Sequence, residues 1–260
     1  MTEYTLITGA TTGIGYELTM QFAKKNKNLI LVARNNDQLI KIKNELEERH
    51  KIRVVCISKD LSKENSAEEL IEEIKKQNLL IGVLVNNAGV GLVAEFYKST
   101  IADSKKMIQL NIQTLTTLTH AFLPEMIKNK KGQILNVASA GGFQAGPYMA
   151  VYYATKAFVV SFSEALHEEV KEHNIFVTAL CPGPVLTGFQ QAAQFSEKQG
   201  PMHLSAYKVA SDGIKGLDNN VAIVIPGWLT QLAIQLNRIF PRFMMRNILK
   251  KRLKQRVSLK

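Results

Sequence analysis

The chain has 260 residues, 46% of them hydrophobic and 21% charged, which suits a globular protein with a sizeable core and not a disordered one. Its formal net charge of +11 is concentrated at one end: residues 228–260 carry nine Lys and Arg and no Asp or Glu, and subtracting those nine leaves +2 for everything before them. The body therefore lacks the charge of a nucleic-acid module, and its two cysteines and five histidines show neither metal-ligand spacing nor a disulfide framework.

The first residues enter a strand directly, without the basic and apolar regions of a secretory leader, which predicts a cytoplasmic chain with Cys56 and Cys181 as buried thiols. Apolar runs at 4–8, 28–33, 53–57, 82–86, 133–138, 175–180 and 221–225 predict strands. Helical patterns between them predict helices at 13–25, 36–49, 63–77, 101–128, 152–173 and 205–216. Ser62 stands ahead of the third helix, and Asp103 caps or opens the fourth. Near-continuous apolar strands such as Leu29–Ala33 fit a sheet covered on both faces. The alternation predicts an α/β fold, a Rossmann-type doubly wound parallel sheet in a single domain over residues 1–227, followed by a basic extension over 228–260.

Four features carry chemistry. Gly9, Gly13 and Gly15 follow the first strand and open the first helix, where a tight turn and free N–H groups accept a pyrophosphate. The second strand ends in Ala33-Arg34, which offers a guanidinium and no carboxylate, so NADP(H) is preferred and NAD(H) is not excluded. Tyr152 and Lys156 are four apart on one helix face, where a cation within about 4–6 Å lowers a phenol from its usual pKa of about 10. Ser139 follows the fifth apolar run, so its hydroxyl emerges at a strand's carboxyl end, where open α/β sheets bind ligands.

Together with Thr8-Gly9-Ala10-Thr11-Thr12-Gly13-Ile14-Gly15, Asn86-Asn87-Ala88-Gly89 and Asn111, these motifs resemble the short-chain dehydrogenase/reductase superfamily over about residues 2 to 227, with local stretches most like the bacterial reductases labelled DltE-like. The resemblance implies seven strands in the order 3-2-1-4-5-6-7. It also implies interconversion of a ketone or 3-oxoacyl group and a secondary alcohol. Tyr152 would be the acid-base, Lys156 would also hold the nicotinamide ribose, Ser139 would orient the carbonyl oxygen, and Asn111 would maintain a water-linked proton path. Cofactor contacts carried over are Gly9, Thr11, Thr12, Gly13, Ile14, Gly15, Arg34, Asp60, Leu61, Asn87, Ala88, Gly89, Tyr152, Lys156, Pro182, Gly183, Val185 and Thr187. Several keep a structural alternative: Asp60 organising the turn before Ser62, Asn87 bracing the sheet, Thr187 capping a helix. Tyr153 is expected to pack on its helix.

The expected pocket wall, Gly141–Met149, and a lid from Gly188 to Leu204 mix apolar residues with glutamines, so an uncharged or amphiphilic small-molecule carbonyl is the expected substrate. The helices at 101–128 and 152–173 are the expected interface of a homo-oligomer. From Trp228, apolar residues recur at helical spacing, and Arg238, Arg242, Arg246, Lys250 and Lys254 repeat every four residues, with a bend at Pro241. Residues 219–237 contain Pro226, Gly227 and several amides and do not read as a transmembrane span. The tail has three readings: it packs on its own lid or a partner subunit, contacts anionic lipid, or is solvated and disordered.

Overall fold

The apolar runs form parallel strands because each is shielded on both faces by helices. In the computed structural model, which describes residues 2–189, 193 and 200–257, these are β1 (Glu3–Thr8), β2 (Asn28–Ala33), β3 (Val54–Ser58), β4 (Leu80–Asn86), β5 (Gly132–Val137), β6 (Ile175–Leu180) and β7 (Ile223–Val224). They pair as one seven-stranded, all-parallel sheet in the order β3-β2-β1-β4-β5-β6-β7. Successive side chains alternate between two cores, with Ile7, Leu29 and Leu31 in one and Leu6, Ile30 and Val32 in the other. The fold is thus the expected Rossmann-type sheet. Strand order reverses between β1 and β4, so a crevice opens beyond their carboxyl ends.

The helices are α1 (Gly13–Lys24), α2 (Asn36–Arg49), α3 (Ser66–Lys76), α4 (Ile101–Ile108), α5 (Leu115–Lys128), α6 (Ala150–Val170), α7 (Ala206–Asp218), α8 (Trp228–Ile239) and α9 (Arg242–Val257). Two differ from expectation. The third starts at Ser66, not 63, because Asp60 accepts hydrogen bonds from both the backbone and the hydroxyl of Ser62, and Asn65 turns into the left-handed region at φ 59°. The expected continuous helix over 101–128 is split by a π-helical turn at Gln109–Thr114. This turn carries Asn111 and Thr114, whose side chains bond to other parts of the chain. Asp103 is the third residue of α4 and forms a capping box with Thr100.

Gly227, at φ 83°, turns the chain into α8, and Pro241 separates α8 from α9. Among the described residues, no helix is long and apolar enough to cross a membrane. Cys181 is buried, but Cys56 is only half-buried, so the expectation of two buried thiols holds for one of them.

Candidate active site

At the β1–α1 turn, packing requires the glycines. Gly9 and Gly13 take φ of +66° and +56°, and a Cβ on Gly15 would lie 2.1 Å from the Gly9 carbonyl oxygen and 2.3 Å from Asn87 Nδ2. Asn87 spends its amide on this turn, donating to the carbonyls of Thr8 (2.9 Å) and Gly9 (3.1 Å). Thr8 Oγ1 accepts from the N–H groups of Asn87 and Ala88, both at 3.0 Å. Thr12 precedes α1 without capping it by its side chain, so the first-turn N–H groups are left for another acceptor. Thr11, Thr12, Gly13 and Ile14 line a cavity of about 1110 Å³ that runs along the carboxyl edge of the sheet.

One end of the cavity is bounded by Ala33, Arg34, Asp60 and Leu61. Burial raises the Asp60 carboxyl, but hydrogen bonds from Ser62 and the charges of Arg34 and Lys106 outweigh it and hold its pKa below the ordinary value. Asp60 therefore organises the turn before Ser62 while also facing the cavity. Lys106, on the cavity wall, was not among the sequence candidates; it sits in a lysine-containing stretch of an amphipathic helix and gives no local signal.

At the other end are Ser139, Tyr152 and Lys156. Ser139 leaves β5 and starts a short 3₁₀ turn, Ala140–Phe143, where its Oγ accepts from Gly141 N at 3.0 Å. Lys156 is only 6% exposed, and its Nζ donates to the Val137 carbonyl at 2.7 Å. Burial lowers its pKa to about 8. Burial also raises the Tyr152 phenol above its ordinary value, with a hydrogen bond to Ser139 pulling the other way. This corrects the expectation that Lys156 would lower Tyr152: the ammonium stands 6.0 Å from the Tyr152 ring centroid and is itself desolvated, so loss of water dominates both groups.

Asn111 is 2% exposed and lies behind the cavity wall. It pairs with both backbone groups of Val90 at 2.9 Å and donates to Thr155 Oγ1 at 3.0 Å. It tethers the Gly89-Val90 loop to α6, and a Cβ on Gly89 would sit 3.3 Å from Asn111 Oδ1 and 3.4 Å from Lys156 Nζ. Of the candidate site residues, Gly15 and Asn111 support the wall from behind, while the others line the same cavity. Pro182, Gly183, Val185 and Thr187 reach it from the loop after β6.

Tyr153 departs from expectation. It also reaches the cavity, with its ring packed on Gly141 and Gly146 and edge-on to Tyr152 at 6.0 Å. Much of the expected lid, residues 190–192 and 194–199, lies outside the described residues; Phe189 and Met202 from that stretch border the cavity. The outer wall comes from the tail. Ile234 and Asn237 of α8 and Met245, Leu249 and Leu253 of α9 line the cavity, and Asn237 Nδ2 donates to Gln144 Oε1 at 2.9 Å. Leu253 is 1% exposed and packs with Val93, Met149, Tyr152 and Tyr153. The tail thus packs one face on the body of its own chain, at Val93, Gln144, Met149, Tyr152 and Tyr153.

These residues fit a dinucleotide: a glycine turn with an uncapped helix start, a cationic end, and a buried Ser, Tyr and Lys cluster share one elongated cavity. Residues 3–198 match the profile of the short chain dehydrogenase family, and the chain belongs to that family of oxidoreductases acting on CH–OH and C=O groups. It is similar to the very-long-chain 3-oxoacyl-CoA reductase of Macaca fascicularis, 32% identical over 235 residues, covering 87% of this chain and 74% of the relative. The rat, mouse and human proteins of that name match over 60% of their own length. Among solved structures, a short-chain dehydrogenase from Sphingobium yanoikuyae in complex with NADPH superposes with a TM-score of 0.81 at 29% identity, covering 87% of this chain and 88% of the other. The bulky-bulky ketone specific alcohol dehydrogenase of Comamonas testosteroni gives a TM-score of 0.78 at 27% identity, covering 91% of each chain.

Proposed function

We propose that the protein reduces a hydrophobic ketone, in particular a 3-oxoacyl thioester with a long aliphatic chain, to the secondary alcohol with NADPH. The observation that carries this reading is the convergence of Ser139, Tyr152 and Lys156 on a cavity bordered by Ile234, Met245, Leu249 and Leu253. An acyl chain fits such a wall, and the similarity to very-long-chain 3-oxoacyl-CoA reductases supports the same substrate class.

The Gly9–Ile14 turn and the start of α1 would hold the pyrophosphate, Arg34 the 2′-phosphate, and Lys156 the nicotinamide ribose. The absence of a carboxylate at the end of β2 supports NADP over NAD, with Lys106 adding positive charge nearby. When bound, the cofactor supplies the hydride that the carbonyl carbon accepts. Ser139 and Tyr152 aim hydroxyls at the carbonyl oxygen and stabilise the negative charge that builds there. Tyr152 gives its proton to that oxygen, completing the alcohol. At neutral pH the phenol carries the proton this direction requires; burial alone makes it a more reluctant donor, so the donation relies on Lys156 and on the negative charge that builds on the carbonyl oxygen. Lys156 supplies positive charge beside the phenolate that remains, and Asn111 holds the Gly89-Val90 loop and Thr155 in place behind the pair.

The test is NADPH oxidation across 3-oxoacyl thioesters of increasing chain length and bulky ketones. Turnover rising with acyl length supports the reading. NADPH binding without oxidation on any carbonyl would replace it with a non-catalytic nucleotide-binding role.

A further inference from the structure

The inward faces of α8 and α9 are used by the cavity, while their outward faces carry large apolar and basic side chains that are exposed among the described residues. On α8, Trp228 and Leu232 stand one turn apart on the exposed face, with Trp228 at 70% exposure and Ile239 at 76% at the helix end, while Leu236, one turn further on, also borders the cavity. The exposed face continues through Phe240 and Phe243, the latter 58% exposed, to Ile248, which is 60% exposed and also borders the cavity. Arg242, Arg246, Lys250 and Lys251 are exposed among them. Large apolar groups interleaved with cations, and no acidic residue in 228–260, are the composition of a helix that lies in a lipid interface.

We propose that the outward face of α8 and α9 docks onto an anionic lipid surface, bringing the wall of the cavity against the membrane. Charge decides the occupant. A second copy meeting this face symmetrically would set two uncompensated basic surfaces against each other. An acidic protein partner would satisfy the cations yet leave Trp228, Ile239 and Phe243 to find apolar cover. An anionic bilayer supplies both, with headgroups for the cations and acyl chains for the apolar stripe. The 3₁₀ turn Phe96–Lys98, next to Glu95 and so close to Lys254 of α9, exposes Phe96 and Tyr97 as well. Its neighbour Glu95 is ion-paired with Lys98 and also feels the charge of Lys254 on α9. The inference stands apart from the proposed reaction, since turnover of a water-soluble ketone tests that reaction with no vesicle present.

The test uses the full chain and vesicles of phosphatidylcholine with or without phosphatidylglycerol. Trp228 is the chain's single tryptophan, so its emission reports directly on this face. A blue shift and co-sedimentation with anionic vesicles at low salt, both reversed at 1 M salt where the Debye length is about 3 Å, are expected. Each basic residue near an anionic surface contributes about 1 kcal/mol, or about fivefold in affinity. The triple variant Arg242→Gln, Arg246→Gln, Lys250→Gln should therefore bind about a hundredfold more weakly, with an unchanged circular dichroism spectrum. Protein that stays in the supernatant with anionic vesicles at low salt overturns the proposal. So does equal binding to neutral vesicles, a triple variant that binds undiminished, or a lipid-free blue shift that tracks dimer formation. The wild-type salt titration decides the matter even where the variant fails to fold.

Discussion

Lys156 is an ammonium folded into a site that weakens its hold on the proton without removing its charge at neutral pH, and Lys156→Met exposes that cost through pH. Its pKa falls from the ordinary 10.5 to about 8 on folding, chiefly through burial. Between those values the unfolded chain binds more protons than the native one, so stability rises with pH across the window. A pKa shift of one unit corresponds to about 1.4 kcal/mol, and between pH 7.5 and 9.5 the rise from this group alone comes to about 2 kcal/mol. Tyr152 and Cys181, the latter raised to about 12 by burial, stay neutral in the folded state while their unfolded forms begin to ionise, which lowers stability over the same window in wild type and variant alike. Urea unfolding of the cofactor-free wild type and Lys156→Met at both pH values isolates the effect. The wild type should gain about 2 kcal/mol relative to the variant on going to pH 9.5. The absolute difference at neutral pH is a poorer readout, because the variant also orphans the Val137 carbonyl that Nζ bonds. Parallel pH dependences in the two proteins would refute the account of Lys156 as a desolvated ammonium.

Tyr152→Phe should lower kcat by about 10²–10⁴-fold while retaining NADPH affinity, whereas Tyr153→Phe should stay active; steady-state kinetics and cofactor titration check both. Arg34→Asp should weaken NADPH binding about ten- to hundredfold and spare NADH, and equal losses for the two cofactors would count against the phosphate contact. Leu253→Ala removes a buried contact between α9 and the Val93 and Met149 cluster, so kcat/KM for a long 3-oxoacyl thioester should drop while that for a short ketone holds. Uniform loss on both substrates would mean that α9 supports the fold and does not shape the pocket.

What the sequence made legible was set by range. Strands such as β2 and β6 were placed to the residue because a buried parallel strand writes itself as one unbroken apolar run. The Tyr152 and Lys156 pair and the glycine turn were equally plain, being fixed spacings on one element. The break at Gln109–Thr114 was hidden, because apolar periodicity continues across it and its cause lies in Val90 and Thr155, twenty-one and forty-four residues away. Lys106 was missed for the same reason, since only the fold brings it near Asp60.

The basic tail marks where pattern stops and packing begins. Its leucines announced an amphipathic helix, but amphipathicity names a face and not what the face meets. The fold supplies the answer for one side: Leu253 closes over Val93 and Met149 in the same apolar cluster as Tyr152 and Tyr153, about a hundred residues back along the chain. That contact feeds into the chemistry. Desolvation is what lifts the Tyr152 phenol and depresses Lys156, and water is kept from them by walls that include α8 and α9. The spacing of Tyr152 and Lys156 shows the nearby charge but not the burial that outweighs it. A cation beside a phenol lowers its pKa where water can reach both; inside this cavity burial acts first on both groups, and the tail takes part in that burial where Leu253 packs in the same cluster as Tyr152.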